Sequence, residues 1–208
     1  MKKILLGTLL MFCLTTFGQT YKIEEKSITG VFDVDGKSKA EIFSAINKWI
    51  SINYNSAKNV IQLNDAEAGN IIIKGINEVT CKSVAKTLYP KNAYIPENTT
   101  TKFNHLIEIN VKENKFRIIY RIIDSEGLDD NFFNCIKLNG DNEANIITYN
   151  DEVEIGLKKG LIGQEKRELY KLKSTVMFED IRFGLENSMK ATMLSIEKSV
   201  KTATTDGW

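Results

Sequence analysis

The stretch that decides the fold is residues 31–75, which read VFDVDGKSKAEIFSAINKWISINYNSAKNVIQLNDAEAGNIIIKG. Ser38 and Glu41 form a capping box, because the serine side chain can accept from the amide of residue 41 while the glutamate reaches back to the amide of residue 38. The residues that follow place apolar side chains on one helical face, at Ile42, Ile46, Trp49 and Ile50. The pattern therefore predicts an amphipathic helix that begins just after Ser38.

Strand-like runs flank this helix. Residues 31–34 alternate between polar and apolar and predict a first strand. After the helix, the β-rich runs 60–63 and 71–74 are separated by the turn residues Asn64-Asp65 and Gly69, which predicts a hairpin. In this hairpin we expect Ile61, Leu63, Ile71 and Ile73 to point toward the core.

A second hairpin and a last helix are predicted further along the chain. Residues 102–111 and 116–123 alternate, and the inward face should carry Phe103, His105, Ile107, Ile109, Val111, Phe116, Ile118, Tyr120 and Ile122. Residues 176–201 repeat apolar side chains every three or four positions, which predicts an amphipathic helix of about six turns.

The stretch 36–75 resembles the signature of a secreted bacterial domain family of unknown function with a TBP-like (TATA-binding-protein-like) fold. The matching segments are Gly36-Lys37-Ser38-Lys39, Lys48-Trp49-Ile50, Asn55-Ser56-Ala57-Lys58, the run 60–63, and Gly69 with 71–75. The resemblance implies a fold and an exported location, and no activity. The elements themselves give the order β-α-β-β-β-β-α. The predicted class is therefore α+β: a curved antiparallel sheet with two helices on one face and insertions.

The domain organisation follows from these elements. We expect a single domain over 19–208, with a core at 28–124 and a C-terminal helix at 176–201. The intervening stretches 76–101 and 125–175 are interpreted as insertions. The first should be a surface excursion with a short helix near 82–88. In the second, residues 145–151 echo the strand-like run 59–65, and residues 164–173 favour a helix.

The N-terminus predicts export. Lys2 and Lys3 precede an apolar run, and the small residues Thr16 and Gly18 fit a cleavage site before Gln19, so residues 1–18 are predicted to be a signal peptide. The run is shorter than the roughly 20 residues that a spanning helix needs. We expect a periplasmic or extracellular protein with no membrane span after cleavage.

The charge balance argues against a nucleic-acid partner. Removing residues 1–18 removes Lys2 and Lys3 and no acidic residue, which changes the net charge from +1 to −1. A near-neutral exported chain lacks the basic surface that binds phosphates. The TBP-like fold therefore does not imply DNA binding.

Two cysteines, Cys81 and Cys135, remain after cleavage. In an oxidising compartment they predict a disulfide that joins the two insertions. The alternative is two buried free thiols, because the sequence does not give their separation. Two thiols and one histidine are too few ligands for a zinc site, so no cofactor or metal is expected.

The sequence contains no set of residues whose types and spacing are typical of a catalytic site. His105 is the only histidine, and its phase with the isoleucines predicts a packed core residue. The acidic run Asp124, Glu126, Asp129 and Asp130 misses the EF-hand order and predicts a solvated loop. We therefore expect a protein that is not an enzyme.

The predicted binding surface is the outer face of the sheet, formed by Ile72, Lys74, Leu106, Glu108, Arg117, Ile119, Arg121 and Ile123. Apolar residues set among arginines are typical of an interface. The alternative is that the insertion, at 131–175, covers this face. The favoured function is a non-catalytic binding or interaction module with an unknown envelope protein or ligand as partner. The other two are a structural envelope protein that acts by assembly and an uncharacterised enzyme.

Overall fold

The computed structural model describes residues 20–203, and the predicted signal peptide at 1–18 lies outside them. The described chain forms a six-stranded antiparallel sheet in the order β1-β2-β6-β5-β4-β3. The strands are β1 (Tyr21–Ile23), β2 (Ser27–Asp33), β3 (Ile61–Asp65), β4 (Asn70–Lys82), β5 (Asn98–Lys112) and β6 (Lys115–Ser125).

The helices lie on one face of this sheet. They are α1 (Lys39–Asn53), α2 (Ala57–Val60), α3 (Val84–Leu88), α4 (Asp130–Asn134), α5 (Glu143–Lys159) and α6 (Gln164–Thr202). The two main helices, α1 and α6, pack against the central strands and against each other. The contact between α1 and α6 includes a hydrogen bond, in which Trp49 Nε1 donates to Ser195 Oγ at 2.9 Å. The predicted α+β class, an antiparallel sheet with two main helices on one face, is thus confirmed.

The predicted capping box is present at the start of α1. Ser38 Oγ accepts from the backbone N–H of Glu41 at 3.3 Å, and Glu41 Oε2 accepts from the backbone N–H of Ser38 at 2.8 Å. Two of the N–H groups that have no partner inside a helix are satisfied in this way. The local sequence therefore fixes where α1 begins.

The core lies between the sheet and these helices. Every inward-facing residue predicted for the second hairpin is buried: Phe103, His105, Ile107, Ile109, Val111, Phe116, Ile118, Tyr120 and Ile122. Ile71 and Ile73 are also fully buried, and Ile61 is partly buried. Leu63 was predicted to be inward and is 41% exposed. The pairing of β3 with β4 shifts by one residue between Ile61 and Leu63, and such a shift turns the side chain to the other face.

Strands β2, β4 and β5 are longer than the sequence predicted. The first predicted strand, 31–34, overlaps β2, which begins at Ser27, ends at Asp33 and is preceded by β1. The stretch 76–101, predicted to be a surface excursion, instead continues β4 to Lys82 and begins β5 at Asn98. Asn77, Val79 and Cys81 of β4 are buried. Only residues 83–97 leave the sheet, and they contain α3 at the position predicted for a short helix.

The stretch 125–175 is helical. Residues 145–151, interpreted as a strand, belong to α5, and the last helix begins at Gln164 rather than at residue 176. The segment packs on the helical layer, where the Phe132 and Tyr149 rings lie 5.1 and 5.2 Å from the Phe178 ring of α6. It therefore does not cover the outer face of the sheet.

Candidate functional site

The outer surface of the sheet is formed by the outward residues of β2 to β6, and we call it the open face. Its central residues are Thr29, Val31, Asn70, Ile72, Lys74, Leu106, Glu108, Asn110, Arg117, Ile119 and Arg121. They point outward because each alternates with a buried residue of its strand. None of these central residues is buried, which shows that no described element covers this face.

The strand registers place seven of the eight predicted binding residues in three adjacent cross-strand rows, one of which contains Arg117. Ile72, Glu108 and Ile119 are direct cross-strand neighbours on β4, β5 and β6. The next row holds Lys74, Leu106 and Arg121. The structure therefore places these predicted residues on one face of the sheet.

The eighth predicted residue, Ile123, lies at the end of the surface. It follows the register shift between Asn104 and His105, and its side chain is 45% exposed. Leu63, which the bulge in β3 turns outward, adds an apolar residue beside Ile72. The apolar part of the open face is therefore wider than the sequence predicted.

A hydrogen-bond network crosses three strands of the open face. Arg117 donates to Asn110 Oδ1 from Nε at 3.0 Å and from Nη2 at 2.7 Å. Asn110 Nδ2 donates to Asn70 Oδ1 at 3.0 Å and to Glu108 Oε1 at 3.3 Å. The other oxygen of that carboxylate accepts from Arg121 Nη1 at 3.2 Å. These bonds hold both guanidinium groups in place, and Arg121 is ion-paired with Glu108 while Arg117 bonds to a neutral amide.

The central open face carries a surplus of positive charge. Of its central residues, Lys74, Arg117 and Arg121 carry positive charges, and Glu108 carries the single carboxylate. Because guanidinium groups bind carboxylates and phosphates through paired donors, this surface favours an acidic partner group. The neighbouring side chains of Leu106, Ile72 and Ile119 supply apolar contact area for the same partner.

The single histidine lies on the opposite, inner face. His105 is 4% exposed, and its Nδ1 lies 3.1 Å from Tyr120 Oη while its Nε2 lies 3.5 Å from Tyr54 Oη. Burial lowers the pKa of His105 to about 4 and raises the pKa of Tyr54 to about 12. The imidazole is therefore neutral near pH 7 and shielded from solvent, as expected of a packed core residue.

A further buried polar residue was missed by the sequence analysis. Asn77 accepts from Ser188 Oγ of α6 at 3.0 Å, and its amide nitrogen has no partner among the described residues. The signal that could have revealed it is the alternation of β4, in which Asn77 shares the inward phase of Ile73 and Val79.

The predicted disulfide is not formed. Cys81 and Cys135 are free and buried. Cys81 Sγ donates to Thr99 O at 3.8 Å on β5, whereas Cys135 Sγ donates to Asn131 O at 3.2 Å within α4. Each thiol therefore donates a hydrogen bond to a backbone carbonyl of a different segment, and the two sulfur atoms are not bonded to each other. The pairing prediction was wrong because cysteine count and compartment carry no information on geometry.

A groove of about 560 Å³ lies on the helical layer, between α1 and the end of α6. Its polar groups are partly engaged, since Glu41 forms the capping box and Lys37 Nζ donates to Ala203 O. None of the predicted binding residues lines it. The acidic residues predicted to form a solvated loop do not gather either: residues 20–203 contain no group of three metal-ligating side chains.

The fold defines an α+β domain of the TBP-like type. Residues 29–123 match the model of a family described as a domain of unknown function (DUF4468) with TBP-like fold. The matched segment runs from β2 almost to the end of β6, and so contains the open face. The resemblance seen in residues 36–75 is thereby confirmed, and the family carries no assigned activity.

Two crystal structures are similar in fold. A TBP-like protein from Parabacteroides distasonis ATCC 8503 shares 15% identity with a TM-score of 0.47, over 86% of this chain and 94% of that one. A DUF4468 family protein from Bacteroides ovatus ATCC 8483 shares 20% identity with a TM-score of 0.37, over 47% of this chain. The chain spans about half, 53%, of the length of that protein. No curated protein matches the chain in sequence.

One further observation concerns membranes. Among residues 20–203, none of the helices combines the length and the apolar character that crossing a membrane requires.

Proposed function

We propose that this protein is an exported, non-catalytic binding module of the cell envelope whose partner docks on the open face. The proposal rests on the way in which apolar and charged side chains alternate in cross-strand rows on that face. Leu106, Ile119 and Ile72 surround Glu108, and Arg117 and Arg121 lie beside them on β6. An exposed apolar patch among charges is typical of an interaction site.

The chemistry of the face defines the kind of partner. The partner presents apolar groups next to carboxylates or phosphates, because the surplus charge of the central open face is positive. The ion pair between Arg121 and Glu108, at 3.2 Å, is partly exposed and contributes about 0–1 kcal/mol to stability. The arginines can therefore be changed at small cost to the fold.

Export is the second part of the proposal, and its support is the tripartite N-terminus of residues 1–18. Intact-mass measurement of protein isolated from its native envelope should show a chain that starts near Gln19. A retained Met1 in that sample would contradict export with cleavage.

The binding test is the double variant Arg117→Glu with Arg121→Glu, used as bait against a native envelope fraction. The matched control is Lys48→Glu with Lys198→Glu, because both lysines are exposed on the helical layer and the change in net charge is the same. We expect the open-face variant to lose partners that the parent and the control retain. Unchanged binding by a folded open-face variant would refute the proposal.

Loss of folding in the arginine variant would also count against the proposal. If the arginine variant unfolds, as judged by thermal melting, the two side chains are structural and the proposed docking surface is wrong. The control variant separates this outcome from a general effect of added negative charge.

The alternative function is a structural envelope protein that acts by assembly. One observation favours it independently of the open face: part of β4 has no strand on its outer side. An uncharacterised enzyme is the third possibility, and the groove between α1 and α6 is the place where a substrate would have to bind.

A further inference from the structure

The fourth strand is much longer than the edge strand that covers it. β3 pairs with β4 only from Asn70 to Ile73, whereas β5 pairs with β4 along its whole length to Lys82. From residue 76 onward, β4 is therefore itself the edge of the sheet. α3, which follows it, packs against α6 on the helical layer rather than along this edge.

The hydrogen-bond pattern shows which backbone groups face outward. Val111 N donates to Gly69 O at 2.7 Å, and Ser83 N donates to Glu97 O at 3.0 Å. The β4–β5 register has no shift between these two pairs, so odd-numbered residues of β4 bond to β5. The N–H and C=O groups of Ile76, Glu78, Thr80 and Lys82 consequently point to the free edge.

These edge groups have no hydrogen-bond partner among the described residues. A row of unpaired backbone donors and acceptors is a template for a further strand. We propose that β4 of a second copy of this chain pairs here, antiparallel, with Thr80 of each copy on the two-fold axis. The two sheets then join into one continuous sheet, and the open faces of both copies lie on the same side.

Charge complementarity supports this occupant and this register. With Thr80 on the axis, Glu78 lies opposite Lys82 of the second copy, and symmetry repeats the pair. Opposite charges in directly facing positions stabilise an antiparallel pair, and like charges destabilise it. A register centred on Glu78 would place two glutamates opposite each other and would bring Lys74 opposite Lys82. A register centred on Ile76 would run into β3.

The joined strands make a short ribbon. Residues 78, 80 and 82 of each copy form the hydrogen-bonded pairs, and the ribbon ends where α3 begins at Val84. Because Glu78 and Lys82 point to the open face, their ion pairs are accessible to solvent and can be exchanged by mutation without entering the core.

The test is a concentration series of the chain that starts at Gln19, measured by size-exclusion chromatography with light scattering. We expect a dimer that dissociates on dilution. Glu78→Lys and Lys82→Glu should each raise the dissociation constant by about tenfold or more, because each reversal creates two like-charge pairs. The double variant Glu78→Lys with Lys82→Glu should restore the parent value.

Two controls separate the edge from its neighbours. Glu78 also forms a salt bridge with Lys102 of β5 at 3.5 Å, so Lys102→Glu removes that bridge and should leave the dimer intact. Thr80→Pro removes an N–H that points to the edge, and should abolish the dimer while the β4–β5 pairing survives. Thr100→Val removes the same Thr80–Thr100 hydroxyl contact of 2.8 Å and should not affect the dimer.

Three results would overturn the proposal. The parent chain could be monomeric at all concentrations. The dissociation constant of the dimer could be unchanged by both single charge reversals, or the dimer could persist in the Thr80→Pro variant. The open-face variant with Arg117→Glu and Arg121→Glu should remain dimeric, which keeps this inference separate from the proposed binding function.

Discussion

Gly75 of β4 lies directly opposite His105 of β5, and the imidazole occupies the space that a side chain at position 75 would need. A β-carbon at Gly75 would lie 2.7 Å from His105 Nε2 and 3.2 Å from Tyr54 Cε1. The glycine therefore allows the histidine to pack between the sheet and the end of α1, where Tyr54 and Tyr120 contact its two nitrogens.

Gly75→Ala should destabilise the protein by about 1–3 kcal/mol, because the added β-carbon would overlap the buried imidazole ring and force it to move. Chemical denaturation measures the loss. The matched control is Gly156→Ala in α5, where a β-carbon meets nothing within 4 Å, so alanine should stabilise the helix by up to about 1 kcal/mol. A Gly75→Ala protein as stable as the parent would contradict the close packing.

The stability of the fold should fall as the pH is lowered from 6.5 toward 4. Burial lowers the pKa of His105 from 6.5 to about 4, so in this range the unfolded chain binds a proton that the folded chain does not. The difference corresponds to about 3 kcal/mol at most. Denaturation at a series of pH values, compared with His105→Gln, isolates this contribution from the carboxylates. A variant with the same slope as the parent would show that the histidine titrates normally.

The sequence predicted the parts of the fold whose patterns are local. The capping box at Ser38 set the start of α1, and strict alternation placed Ile107 and Tyr120 in the core. The sequence pattern did not predict the extension of β4, because Gly75 and Asn77 occupy inward positions and break the apolar alternation. Those two residues are explained only by what they touch, namely His105 and Ser188.

The helical insertion was missed for a different reason. Residues 145–151, NIITYND, favour a strand by composition, since β-branched and aromatic residues prefer strands. The structure makes them helical because Ile146 and Asn150, four residues apart, are buried while Tyr149 packs on Phe178. Tertiary packing thus overrides a weak local preference.

The candidate site was predictable in composition but not in connectivity. Alternation identified Arg117, Arg121 and Glu108 as outward residues. The hydrogen bonds from Arg117 to Asn110, and from Asn110 to Asn70, depend on the registers of three strands. Register is set by turns and bulges, such as the shift beside His105, and not by the pattern of any single strand.

The contact between α6 and β4 should depend on a glycine. A β-carbon at Gly184 would lie 2.6 Å from Val79 Cγ1, so Gly184→Ala should destabilise the protein although alanine favours helices. In a Val79→Ala background the obstructing methyl group is absent, and the same substitution should become neutral or stabilising. A double-mutant cycle by denaturation measures this coupling. Additive effects would show that the helix can shift away from the strand.

The two cysteines should behave as inert, unpaired thiols. Burial raises the pKa of Cys135 from 9.0 to about 11, which lowers its thiolate fraction about a hundredfold, and burial also raises the pKa of Cys81. In the chain that starts at Gln19, alkylation without reductant should label neither thiol in the folded state and both after denaturation. Mass spectrometry reads the number of labels. Two labels on the folded protein would show that the thiols are accessible. An absence of labels on the denatured, unreduced protein would show that Cys81 and Cys135 are bonded after all, and that the strand end and α4 approach each other in the exported protein.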